Sequence, residues 1–588
     1  MRDQPIGYFD QPGQPFSSAF AYTTEGRDLD RSGLLLARGP AAKSRPLNTT
    51  RASTLTTAHD ARLFTAVVRG HDTVSFTWKV PLEPPIASVA ADRVLDAASV
   101  KQARGELSHL WNTEEDGMMG ISVPESKVVA TYRAAITEML ASRYNSAAGW
   151  VQASNKLQYQ AFWLRDAAME TQALDLAGLH AQAAANLAFM DTFQQPDGLF
   201  ISRAGQYDGL GQALWVLDQH AQLTDDPAYA AAQLDRVDAA VNWLSRITAS
   251  DPLGLLPPSN PGDDELAYGH ITGDNLWAAA GLRSAIADAK LAGREDLAAR
   301  WRMVDDRFEA SLDRAIAVAV TRAGHIPPVL DATNGQDWGN YYAAYPVEVM
   351  AATSPSVRAT LAWARIHMIQ GLPTYYNGRS LHDYLGFSIF QTELKAGDVS
   401  RAIAGLYAEL DHTTSTDAGW EWDISPFGYR GTPVDLAPHG TFAADYVALL
   451  RNLLVAEEPN GNITLLTGAS PAWLAPGEHI TVTAAPTARG SISFTERSTG
   501  HGETLSWNGS LMADTRLTWA LPAWAKHIRV SGGTLVDGSA IVLPASSGSL
   551  TATFDGRRPA QSYALAVASL NRAYRAHGQT APLVPETR

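Results

Sequence analysis

The chain changes its hydrophobic rhythm twice. Near the N-terminus, Val74-Ser75-Phe76-Thr77-Trp78-Lys79-Val80 alternates apolar and polar at every step. The run Leu63 to Val68 precedes it across Arg69-Gly70. A period of two interrupted by a Gly-containing turn predicts a β-hairpin, because successive strand side chains point to opposite faces. Pro81-Leu82-Glu83-Pro84-Pro85 reads as a linker, so residues 1–95 form an N-terminal β region. From 96 to 456 the apolar spacing becomes three and four, and Ala and Leu dominate, which predicts helices. The clearest are 124–143, 165–177, 180–194, 208–223, 227–248, 274–291, 294–322, 355–369, 399–412 and 438–456. Their loops are too unequal for a fixed repeat. Ala-rich helices joined in this way suit a closed double ring of helical hairpins, an (α/α)6 barrel; an α-solenoid is the alternative. Beyond 457 alternation returns in His479–Ala484, Ser491–Thr495 and Ser549–Phe554, punctuated by Gly and Pro. That pattern predicts a β-sandwich over 457–560, followed by a helical or loose tail over 561–588. The fold class is multidomain and mainly α.

Composition narrows the chemistry. The chain has 588 residues, enough for several domains. It has no cysteine, which excludes a disulfide framework, a zinc finger, an iron–sulfur cluster and a thiol nucleophile. A net charge of −15 argues against a nucleic-acid surface. No apolar stretch approaches 18 residues, so no membrane span is expected. Met1-Arg2-Asp3-Gln4-Pro5 opens without an apolar signal core. The location is therefore cytoplasmic, or extracellular or periplasmic after leader removal. The sequence holds no G-x-x-x-x-G-K-[ST], no H-E-x-x-H and no G-x-S-x-G after a strand, so neither cofactor nor metal is expected.

Unusual polar clusters recur about once per predicted hairpin. Trp163-Leu164-Arg165-Asp166, Tyr207-Asp208-Gly209 and Gly273-Asp274-Asn275-Leu276-Trp277 open helices. Asp337-Trp338-Gly339-Asn340 and Leu381-His382-Asp383-Tyr384 precede inner segments. Gly419-Trp420-Glu421-Trp422-Asp423 and Pro438-His439-Gly440 lie before the last helix. An Asp at any one helix start is explained by capping and the helix dipole. Capping does not explain acids paired with Trp at the same phase of successive hairpins. In a ring, every inner helix starts at one end, so these residues would converge on one mouth. Trp offers a flat apolar surface to sugar C–H faces, and Asp and Arg bond sugar hydroxyls. Two carboxyls then suffice to hydrolyse a glycosidic bond.

On these motifs the chain resembles the six-hairpin glycosidases, which include the glucoamylases, over about 120–456. Trp163-Leu164-Arg165-Asp166 is similar to their W-x-R-D segment, and Asp208-Gly209 with Ala213-Leu214 to their D-G-P-A-L segment. The resemblance implies a general acid among Asp263, Asp264, Glu265 and Asp274, and a general base at Glu421. The W-E pair of glucoamylases is missing at the acid position. Gly273-Asp274-Asn275 looks instead like the stretch of glycoside hydrolase family 63 whose acid is that Asp, which favours Asp274 with Glu265 second. Ala472 to Gly490 is similar to the β-sandwich that follows the barrel in α-L-rhamnosidase-like enzymes. The expected activity is removal of terminal sugars with inversion. Arg165, Asp166, Asp208, Trp163, Trp277, Asp337, Trp338, Trp420 and His439 would contact a carbohydrate substrate. Two alternatives stand beside it. A polysaccharide lyase of the helical-toroid type would use Tyr341, Tyr342, His382 or His439 as base. A binding protein without catalysis would need no acid pair.

Overall fold

The computed structural model describes the strands at 53–58 and 61–66 and, from 99 to 576, all residues but 157–159, 262–264, 376–379, 425, 427–436 and 459. The alternating run Val74–Val80, the Pro81–Pro85 linker, Asp263 and Asp264 lie outside the described residues. The chain divides into two compact units, Met1–Asp116 with Lys156–Ala161, and Gly117–Asn155 with Phe162–Arg588.

In the first unit, Ser53–Ala58 pairs antiparallel with Ala61–Ala66, Ser53 opposite Ala66. Helix α1 (Val100–Glu114) starts at Ser99, whose side chain accepts from Gln102 N at 3.0 Å. That contact meets one of the donors every helix start leaves open.

The second unit carries the barrel. Its helices are α2 (Ser126–Ser142), α3 (Leu164–Leu176), α4 (His180–Met190), α5 (Asp208–Thr224), α6 (Pro227–Ser250), α7 (Thr272–Leu291), α8 (Glu295–Ala323), α9 (Pro355–Ile366), α10 (Leu385–Lys395), α11 (Val399–His412) and α12 (Gly440–Leu454). Helices α3, α5, α7, α10 and α12 are buried around most of their circumference. Helices α4, α6, α8 and α9 bury a single stripe. The sixth inner place is held by a short 3-10 turn, Gly339–Ala343. Contacts run α3–α5–α7–turn–α10–α12 and return to α3, so the inner ring closes. A solenoid would leave its ends apart; this is an (α/α)6 barrel.

Small residues permit the inner packing. A Cβ on Gly211 of α5 would lie 2.0 Å from the Trp277 carbonyl oxygen of α7, and one on Gly281 would lie 2.8 Å from the Gly211 Cα. These helices touch backbone to backbone, where no side chain fits.

Helix α12 runs without a break into the strand Val455–Glu457. That strand edges a five-stranded sheet ordered 534–536, 540–542, 517–520, 463–465, 455–457. A six-stranded sheet is ordered 526–530, 547–555, 502–511, 490–499, 479–487, 120–122. Its last strand comes from before the barrel, with Ser122 opposite Thr481. The two sheets face each other: a Cβ on Gly533 would meet both Ile541 of one sheet and Leu550 of the other. The result is the β-sandwich that the alternation predicts. Helix α13 (Tyr563–Ala576) occupies the tail and contacts α11.

Several acids are enclosed by this packing. Burial lifts Glu138 to about 8, and Asp383 and Asp411 to about 7. Unfolded, such groups titrate near roughly 4. Between those values the folded chain holds protons that the unfolded chain has released. The stabilisation is therefore complete below the unfolded pKa and is lost as pH rises through the folded values. Scanning calorimetry should show Tm rising as pH is lowered from about 8 to about 5. A flat or falling Tm over that range would contradict it.

Candidate active site

The starts of the inner helices meet at one end of the ring. Arg165 and Asp166 occupy the first turn of α3, and Asp208 the first residue of α5. Arg165 Nε donates to Asp208 Oδ2 at 2.7 Å, and Gln212 Nε2 donates to the same oxygen at 3.0 Å. The Arg165 guanidinium also lies 5.5 Å from the Trp338 ring centre, a cation–π distance. Asp166 accepts from Thr441 Oγ1 at 2.7 Å, tying the start of α3 to the start of α12.

His439 precedes α12 and is fully buried. Its Nε2 lies 3.7 Å from Asp166 Oδ1 and 3.7 Å from Glu421 Oε2. Two carboxylates separated by 273 and by 18 residues from it in sequence thus flank one imidazole. Its ring stacks on Tyr384 at 5.4 Å with the planes 6° apart. Burial lowers its pKa to about 4, although Asp166 pulls the other way. The imidazole is therefore neutral near pH 7. At 3.7 Å it is too far to donate a normal hydrogen bond to either acid.

Behind Glu421 stands a second acid pair. Asp383 Oδ2 accepts from Trp420 N at 2.9 Å, while Asp383 N donates to Glu421 O at 3.3 Å. The peptide carrying Glu421 is held from both sides. Glu409 is buried beside the Asp383 carboxyl; burial, and then the Asp383 charge, push Glu409 well above the usual range. Trp420 Nε1 donates to His412 O at 2.9 Å and anchors the loop to α11.

Aromatic rings pack around these acids. Trp338 meets His382 edge-on at 4.5 Å and Tyr384 at 5.6 Å. His382 is fully buried among them, which lowers its pKa to about 3. The Tyr384 phenol is raised by burial and then by the charges of Tyr342, Asp166 and Glu421. Tyr342 is likewise raised by burial, with Asp445 and Glu265 contributing.

The two acids before and within α7 lie differently. Glu265 accepts from Gln336 N at 2.6 Å through its main chain, and its carboxyl lies against the crossing of Gly273 and Gly339. The Gly273 Cα blocks any Cβ on Gly339 at 2.6 Å, so only glycine lets that acid approach. Asp274 sits in the first turn of α7, and its charge acts on Tyr207. Tyr207 in turn faces Trp243 of outer helix α6 at 5.9 Å.

The remaining expected contacts scatter. Trp163 lies under Arg203 at 4.1 Å. Trp277 is 1% exposed, edge-on to Trp215 at 5.3 Å, and belongs to the ring interior. Asp337 turns away from Trp338 to accept from Trp363 Nε1 at 2.8 Å and Asn340 Nδ2 at 2.9 Å. Asp383 and Tyr384 belong to the Leu381–Tyr384 cluster, but nothing local says which member of a cluster points inward; Thr441, one residue beyond the Pro438–Gly440 cluster, carries no sequence signal of its own.

No protein-family model and no curated protein matches the chain. Solved structures do. The α-L-rhamnosidase of Streptomyces avermitilis complexed with L-rhamnose aligns at TM-score 0.50 and 18% identity, over 74% of this chain and 42% of its own. The rhamnosidase of Dictyoglumus thermophilum gives 0.52 at 11% identity, over 74% and 50%. The GH78-family rhamnosidase of Bacillus sp. GL1 gives 0.50 at 15% identity, over 69% and 43%. The chain shares its fold with part of each of these structures. It spans half or less of the length of these three rhamnosidases.

Proposed function

We propose that the chain is a glycosidase that releases terminal sugars by general acid–base catalysis with inversion. One observation carries this reading: Asp166 and Glu421 each lie 3.7 Å from His439, beside the Arg165–Asp208 pair. Acids, an Arg and aromatic rings gathered at one end of a closed ring suit a sugar ring and its leaving group. The fold shared with part of each rhamnosidase supports it.

In this reading Glu421 is the base. Its peptide is fixed by Asp383, and the imidazole beside its carboxyl is neutral near pH 7, so Glu421 would take the proton from water. Asp166, Arg165 and Asp208 bind hydroxyls. Glu265 is assigned as the general acid in preference to Asp274. Its carboxyl lies against Gly339, next in the chain to Trp338, whose ring meets both the Arg165 guanidinium and Tyr384. Asp274 faces Tyr207 instead. Inversion needs roughly 6.5–9.5 Å between acid and base carboxyls, room for one water. The lyase reading is less well supported: burial raises Tyr341 and Tyr342, which disfavours the tyrosinate a β-elimination needs.

A panel of p-nitrophenyl glycosides, α-L-rhamnoside first, tests the activity, and proton NMR of the first product anomer tests the stereochemistry. Release of one glycone as the inverted anomer is expected. Retention would overturn the roles given to the acids, and an unsaturated uronate product would favour the lyase.

A further inference from the structure

The inner helices have a second end. Their C-terminal turns enclose a cavity of about 450 Å³ on the far side of the ring from Glu421. Gln172 of α3, Gln219 of α5, Gln391 of α10 and Asn452 of α12 line it, with Trp215 and Tyr345 as apolar surface. The size falls within the range of small-ligand sites.

Of its six charged lining residues, five are already matched within the protein, Glu458 being the exception. Arg283 bonds Glu309, Lys395 pairs with Glu348, and Arg451 pairs with Glu457. The amides are not. Asn452 Nδ2 donates to Gln391 Oε1 at 3.2 Å, which leaves Gln391 Nε2 buried and without an acceptor among the described residues. Gln391 is 1% exposed. A buried amide hydrogen of this kind calls for an acceptor on a ligand. Arg451 Nε, on the same wall, is also buried without a partner among the described residues. An anion would find all three lining cations already engaged, and a cation would find only Glu458. A neutral molecule with several hydroxyls finds amide donors and acceptors together with aromatic surface.

We propose that this cavity is a second saccharide site, taking a neutral mono- or disaccharide at the end of the ring opposite the acids. It is independent of the chemistry assigned to the mouth. The full-length chain carrying Arg165→Ala and Glu421→Gln, which disables the mouth, is titrated with L-rhamnose, D-glucose, maltose and cellobiose by calorimetry. It should still bind at least one of them. Adding Gln219→Trp fills the cavity and should weaken that binding at least about tenfold. Gln219→Ala perturbs the fold less and should weaken it about five- to tenfold. The proposal is overturned if the mouth-disabled chain binds none of the four sugars, or if Gln219→Ala leaves the affinity unchanged. Loss of hydrolysis in the parent variant does not bear on either outcome.

Discussion

Glu421→Gln should lower kcat about a hundred- to ten-thousand-fold, with the fold intact by circular dichroism. Gln keeps the shape and the hydrogen-bonding reach but cannot take a proton from water. The loop that carries it is pinned by Asp383 through two main-chain contacts, so the substitution removes a base without moving the backbone. KM should change little, since the lost interaction belongs to the transition state. The acid assignment is separated from the base by leaving-group dependence. Glu265→Gln should lose most with poor leaving groups and recover with activated aryl groups, which need no proton. Asp274→Asn should depend little on the leaving group. If Asp274→Asn shows the steep dependence and Glu265→Gln does not, the two acids exchange roles. A loss of less than about tenfold in Glu421→Gln would end its role as base.

Gly211→Ala should destabilise the chain by more than about 4 kcal/mol, or abolish soluble expression. In an exposed helix the same change stabilises by up to about 1 kcal/mol. Here the new methyl would lie 2.0 Å from the Trp277 carbonyl oxygen and 2.2 Å from its carbon. Both are backbone atoms in the middle of a buried helix, so relief requires moving α5 away from α7 and opening the ring. Gly105 in α1 supplies the control: a Cβ there meets nothing within 4 Å. Gly105→Ala should be neutral or slightly stabilising. Urea unfolding of both variants decides the matter, and equal midpoints would show that the ring yields more easily than its geometry implies.

The barrel was legible because its signal is periodic. Helices such as 208–223 and 227–248 carry the three-four spacing through many turns, and the structure places them at Asp208–Thr224 and Pro227–Ser250. The sixth inner position was not legible as a helix because it is a five-residue 3-10 turn, too short to show a period. The site was partly legible. Acids at helix starts must gather at one end once the ring is closed, and Arg165, Asp166, Asp208, Glu421 and His439 do meet there. Side-chain direction was not legible. Trp277 and Asp337 sit in the same clusters yet turn into the interior and toward Trp363, because one residue along a helix start rotates a side chain by about a quarter turn or more. The Asp383–Glu409 pair was hidden for another reason: its members lie on a loop and on an outer helix, 26 residues apart, and only folding sets one carboxyl against the other.

The strand Gly120–Ser122 comes before the first barrel helix yet completes the edge of the sandwich sheet, while α12 leads directly into Val455 on the other sheet. Barrel and sandwich are thus stapled twice, once from each end of the helical segment. A fragment stopped at Leu454 would strand a bare β edge and strip the cover from Ile121. A sandwich begun at Val455 would lack its sixth strand. Barrel and sandwich therefore form one compact unit, which should unfold as one.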